Sequence, residues 1–184
     1  MADYAVKTVS GSSTTLTQAD FDGLAADLTG PLMGPGSQGY DEARTLWNAM
    51  ADRHPGLIVE CANTADVVRS VGFARKHRLL VSVGGAGHNI AGNAACDDGF
   101  MISLRKMKKV QVDVEGRKAL VEPGVTLGEL DAATQVYGLA TPTGINSTTG
   151  IAGLTLGGGF GWLSRKHGLT CDNLLSAELV SAQG

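Results

Sequence analysis

Glycine, and where it falls, constrains this chain more than any other residue. Glycine fills 26 of the 184 positions, about twice the usual share. Its densest runs form two tracts, SVGGAGHNIAGNA at 82–94 and TPTGINSTTGIAGLTLGGGFGW at 141–162. Each glycine costs conformational entropy on folding, so a cluster persists only where the backbone turns sharply or approaches something closely. The first tract also sets one histidine, His88, among Gly84, Gly85, Gly87 and Gly92.

The rest of the chain supplies a scaffold for these tracts. Leu16, Phe21, Leu24 and Leu28 recur at helical spacing, and Gly30 with Pro31 would end that helix. A second short helix is expected around Ala43 to Met50, so residues 1–46 read as a helical lead-in to a domain spanning 47–184. From Gly56 the pattern sharpens. GLIVEC is a buried strand, NTADVVRSVGFARKH a helix capped by Asn63 or Thr64, and LLVSVG a second buried strand that runs into the first tract. That succession suggests a right-handed parallel crossover. FMISL, KKVQVD and KALVEPG follow as short strands, the last two joined by a turn near Glu115 and Gly116. TLGELDAATQVYG is the best helix signal, with a Thr126–Glu129 capping box, Leu127, Leu130 and Tyr137 on one face, and Gly138 at its C-terminal cap. LLSAELVSAQG closes as a strand. The class is α+β.

Composition removes several functions. A net charge of −3 argues against general binding to nucleic acid or acidic membranes, and the short RKMKK run at 105–109 reads as a solvated strand edge. No apolar run is long enough to span a bilayer. Cys61, Cys96 and Cys171 form no CxxC pair. With no basic and apolar leader at the N-terminus, they suggest reduced thiols and a cytoplasmic protein. Four histidines without H-E-x-x-H, and without paired cysteines, make a zinc site improbable. No G-x-S-x-G nucleophile elbow is present. His77 and His167 read as helix-end cations.

Two glycine tracts in one small chain point to a site built from backbone amides, for which a pyrophosphate is the usual guest. The alternative is that both are merely turns. Neither standard nucleotide loop closes: no glycine precedes Lys-Ser or Lys-Thr, Ile90 takes the third glycine's place after Gly85 and Gly87, and Ser164 takes it after Gly159 and Gly161. His88 stands apart, because a neutral imidazole on a glycine loop can reach a ligand and act as a nucleophile.

At these residues the chain resembles the FAD-linked oxidases whose flavin domain is of the p-cresol methylhydroxylase type, especially their berberine-bridge-enzyme-like branch. The likeness runs from about Trp47 to the end, through LLVSVGGAGHNIAGNAACDDGFMISLRKMKKVQVD, VEPGVTLGELDAATQVYGLATPTGINSTTGIAGLTLGGGFGWLSRKHGL and CDNLLSAELVSAQG. The resemblance implies a flavin domain of two small α+β subdomains with FAD between them. It places Gly84, Gly85, Ala86, Gly87, His88 and Asn89 at the FAD pyrophosphate, with His88 bonded to the flavin 8α-carbon. Thr148, Thr149, Gly150 and Gly153 cover its other side, and Leu179 and Val180 lie beside the adenine through their backbone. It further implies hydride transfer from a small-molecule substrate to flavin N5, with dioxygen as reoxidant.

Three departures from the family pattern stand out. The first loop usually reads R-G-G-G-H or R-S-G-G-H, whereas Gly84 replaces the arginine and Ala86 brings a Cβ where φ is expected to be positive. Asn146 stands where bicovalent members carry cysteine, so no second, cysteinyl tether is expected. Family members also continue into a substrate domain that supplies the catalytic base, so the chain reads as truncated before it. A non-catalytic fragment that binds flavin weakly or not at all is the alternative, and association with another chain would cover the surface left bare.

Overall fold

A computed structural model describes residues 3–184, which divide into two compact units. Of the described residues, one unit comprises 3–106 with 179–184, and the other comprises 107–178.

In the first unit, β1 (Tyr4–Lys7) and β2 (Ser13–Leu16) form an antiparallel hairpin, and α1 (Gln18–Asp27) follows. The amide and hydroxyl of Thr17 both donate to the Asp20 carboxylate, closing a capping box at the start of α1. The lead-in thus carries strands as well as a helix. The next elements are β3 (Leu32–Met33), α2 (Tyr40–Arg44), β4 (Leu57–Glu60), α3 (Thr64–His77), β5 (Val81–Gly84) and β6 (Phe100–Ser103). Helix α2 begins earlier than the apolar spacing predicts and stops at Arg44, because Thr45 turns to extended backbone.

The main sheet has the order β3-β4-β6-β5. Strands β4, β6 and β5 are parallel, and β3 is antiparallel at one edge. The expected strand–helix–strand unit is present, with Asn63 capping α3 through its side chain. Its two strands are not neighbours, however, since β6 lies between them. Central β6 is buried along its whole length, as a strand in a covered parallel sheet should be. Strand β5 is at the edge, and Val81 and Val83 face outward, so it is half-buried rather than buried.

The buried carboxylate of Asp66, in the first turn of α3, accepts from the amides of Thr29, Gly30 and Ala62 at 2.9–3.0 Å. It ties the helix to the chain on both sides of β4. Burial alone would push this carboxyl up, but the three amides and Arg69 hold it below the ordinary value.

In the second unit, β7 (Val110–Asp113) and β8 (Lys118–Val121) pair as the expected hairpin. Helix α4 (Leu127–Gln135) follows, and the Glu129 carboxylate accepts from both the amide and the hydroxyl of Thr126. The helix ends before Tyr137, which is therefore exposed instead of lying on the buried face, and Gly138 takes a left-handed φ of 67° beyond it. Short helices α5 (Ile151–Leu156) and α6 (Ser164–His167) and a 3-10 turn at Cys171–Asn173 complete the unit. His77 and His167 do close the last turns of α3 and α6.

The closing strand is not formed. Residues 174–181 join no ladder, because an extended segment needs a partner strand and none among the described residues pairs with it.

Candidate functional site

Strand order explains why the first glycine tract lies where it does. The chain steps from β4 through α3 to β5, then reverses to insert β6 between them. Neighbouring parallel strands need a long crossover, and here residues 85–99 make it without a helix or strand. Such a reversal is a topological switch point, where open parallel sheets bind ligands at the carboxyl ends of their strands. Gly85 leaves the carboxyl end of β5, and Arg105 follows the carboxyl end of β6.

The loop is braced from within its own unit. Ala94 and Ala95 enter a buried cluster with Met33, Tyr40, Ala43, Leu46, Ile58 and Met101. The Arg105 guanidinium donates to the carbonyls of Gly85, Glu42 and Thr45. The Trp47 amide donates to Gly87 O at 3.1 Å, and the Asn48 side chain donates to Ile90 O at 2.8 Å. The Trp47 indole stacks on the His88 imidazole, with centroids 5.1 Å apart and planes 20° from parallel. Asn89 orders the turn after His88 by accepting from the amides of Gly92 and Asn93.

Arg105 corrects the reading of RKMKK as a solvated edge. Its side chain is largely enclosed, and burial pulls its pKa down against the opposing charges of Glu60 and Glu42. Lys106 and Lys108 pair with Glu60 and Glu129. The run carries no hydrophobic period that would mark Arg105. Only the adjacency of β5 and β6 brings it under a loop twenty residues away in sequence.

Two glycines in this loop answer to the fold itself. At Gly87, φ is 83°, and a Cβ would collide with the end of the Arg105 guanidinium. A Cβ at Gly84 would meet Met101 Cε at 3.0 Å and Ala94 O at 3.1 Å, so any side chain on that inner face needs both to give way. Ala86 is not left-handed, since the described residues other than glycine with positive φ are Arg78, Asp98 and Arg117. Its Cβ therefore brings no strain. The amides of Gly85, Ala86 and Gly87 donate to no carbonyl or side chain among the described residues.

The second tract is ordered mainly by backbone pairing inside its own unit. Leu127 and Gly128, in the first turn of α4, donate to Thr149 O and Ser147 O at 2.8 and 2.9 Å. Ile151 donates to Val125 O at 2.9 Å, and Thr126 bridges Gly150. The Asn146 carboxamide oxygen accepts from both the amide and the hydroxyl of Thr148. Gly159 and Gly161 are required by close approach to Thr170 and Thr143. Gly153 is different, for beyond its chain neighbours and its own helix backbone no atom of the described residues lies within 4 Å of where its Cβ would stand. Helix α5 buries none of its residues, and Leu156 and Trp162 are 81% and 85% exposed.

The first unit thus brings Gly84 to Asn89 together with Trp47, Asn48 and Arg105, three residues that sequence reasoning did not single out as site residues. Thr148, Thr149, Gly150 and Gly153 are gathered in the second unit. Val180 sits half-buried in an extended segment.

Comparison with known proteins bears on this arrangement. A family described as an FAD binding domain matches residues 55–184. The (R)-6-hydroxynicotine oxidase of Paenarthrobacter nicotinovorans is 37% identical over 157 residues, covering 85% of this chain and 34% of the relative. Berberine bridge enzyme-like 18 of Arabidopsis thaliana is 35% identical over 134 residues, or 71% of this chain and 25% of the relative. The crystal structure of 6-hydroxy-D-nicotine oxidase from Arthrobacter nicotinovorans superposes with a TM-score of 0.83 at 36% identity, over 85% of this chain and 34% of that one. The chain spans about a third of the length of the first of these relatives.

Proposed function

The chain belongs to the FAD-binding domain family of the FAD-linked oxidoreductases, berberine bridge enzyme-like proteins included, and on that premise we propose that it is the FAD-binding part of an oxidase. One observation carries this reading above the others. At the switch point the amides of Gly85, Ala86 and Gly87 donate to no group among the described residues, which is the donor set a pyrophosphate needs. Arg105, under the same loop, supplies the positive charge that Gly84 lacks.

In this reading Gly84 to Asn89 hold the pyrophosphate, Thr148, Thr149, Gly150 and Gly153 contribute from the second unit, and Val180 contributes backbone to the adenine. FAD so held would supply two-electron redox chemistry, with a C–H of a small-molecule substrate as hydride donor to N5 and dioxygen as reoxidant. His88 forms the tether. Its ring nitrogen would exchange a proton for a bond to the 8α-carbon, a two-electron oxidation of the bound flavin for which dioxygen would be the acceptor, leaving as hydrogen peroxide. Asn146 offers no thiol for a second link. The described cysteines are free, and burial pushes the Cys61 thiol up to about 12. Free thiols suit the reducing cytoplasm, which we take as the location. No helix of the described residues is long and apolar enough to cross a membrane.

A visible spectrum taken before and after acid precipitation tests the reading. Yellow colour in the pellet, moved to the supernatant by His88→Ala, supports FAD binding and the tether together. Yellow in the wild-type supernatant overturns the tether alone. A colourless protein that does not take up added FAD overturns the whole reading in favour of a fragment that has lost its cofactor.

A further inference from the structure

Trp47 is 62% exposed, so burial does not account for its place. Its backbone is nevertheless held on both sides of His88. The Trp47 amide bonds Gly87 O, the Asn48 side chain bonds Ile90 O, and Arg105 joins Thr45 O to Gly85 O. Residues 45–48 therefore act as a latch along the loop, and the indole on that latch lies flat against the imidazole. Gly87, with its left-handed φ, gives His88 a neighbour without a side chain to steady it. Stacking of one face of the imidazole on the indole restricts its turning about the side-chain torsions.

We propose that Trp47 is the positioning residue that fixes the ring plane of His88, so that an imidazole nitrogen is presented in one direction to the carbon it bonds. This rests on His88 being the flavin tether, and it adds the group that makes the tether fast. Fixed orientation is the larger part of what speeds a reaction between two held groups. An exposed indole can be removed with little loss of packing, which lets the two effects be separated.

Three variants, Trp47→Ala, Trp47→Phe and His88→Gln, test this in the full chain by two independent measurements. The first is NMR of the histidine ring protons without FAD, with His88→Gln identifying the His88 signals among the four histidines. Stacking predicts an upfield ring-current shift for His88, abolished in Trp47→Ala and partly kept in Trp47→Phe. The second follows acid-precipitable flavin against total bound FAD with time. Trp47→Ala should slow tethering about tenfold or more with total FAD unchanged, and Trp47→Phe should restore most of the rate. An unshifted His88 in the wild type, or wild-type tethering in Trp47→Ala, overturns the proposal. Where the wild type binds FAD but never tethers it, the tether reading has failed, and the ring-current shift still decides whether Trp47 orients His88.

Discussion

The two glycine tracts look alike in sequence and differ in what demands their glycines. In the first, the chain itself fills the space a side chain would need: Arg105 stands over Gly87, and Met101 and Ala94 face Gly84. In the second, Gly159 and Gly161 are likewise hemmed in, but the Cβ position of Gly153 meets no atom of the described residues beyond its own helix. A glycine that the fold requires says little about a ligand. One that the fold does not require, at a position a ligand is proposed to pass, says more. The contrast extends to support, because the first tract ends in buried Ala94, followed by buried Ala95, while no residue of α5 in the second is fully buried.

The largest effect should come from the ground on which the first tract stands. Asp66→Ala leaves the amides of Thr29, Gly30 and Ala62 without their acceptor, at a cost of about 3 kcal/mol or more. Hydrogen exchange should show the loss at β4 and β6, with α4 in the other unit unchanged. Protection falling equally in both units would erase the contrast drawn here. The same group gives a pH signature. Its folded pKa is lowered, so its stabilisation is complete above the ordinary carboxylate value and fades as pH falls through the lower, folded one. Acid melts of Asp66→Ala should accordingly be flatter than those of the wild type.

Next is Gly87→Ala. A left-handed alanine costs about 1–2 kcal/mol, and its Cβ must also displace the Arg105 guanidinium. A drop in melting temperature of several degrees is expected, together with a loosened loop. A melt within a degree of the wild type would mean that Arg105 moves freely and braces nothing. In the second unit, Thr126→Ala should cost roughly 0.5–2 kcal/mol by removing half of the capping box on α4. An unchanged melt would assign the capping to Glu129 alone.

How much of this was legible in the sequence follows the same division. Strands β4 and β6, helices α3 and α4 and the β7–β8 hairpin could be read because apolar period, capping residues and turn residues act locally. The Thr126–Glu129 box is the clearest case. His88 stood out because a lone imidazole among glycines has few structural uses. Arg105 and Trp47 did not, since what each does depends on strand order and on a latch formed between residues forty positions apart. A basic run and a tryptophan have no local signature for those roles. The closing strand failed for the converse reason: LLSAELV has strand character, but pairing is a property of the partner, and the described residues offer none.

The smallest change in stability carries the sharpest test of the comparison. Gly153 lies in the first turn of α5 with its Cβ position open, so Gly153→Ala should leave the fold intact or stabilise it by up to about 1 kcal/mol, the helical advantage of alanine over glycine. Were the fold the only constraint at this position, alanine would be the better residue. If the proposed FAD site passes over it, the added methyl occupies space the cofactor needs. Melting temperature without FAD and affinity for FAD should then move in opposite directions, the first holding or rising and the second falling. Both quantities rising would return Gly153 to the ordinary turn glycines and leave the first tract to bind the pyrophosphate alone. Gly87→Ala offers no such separation, because there the fold and the site fail together.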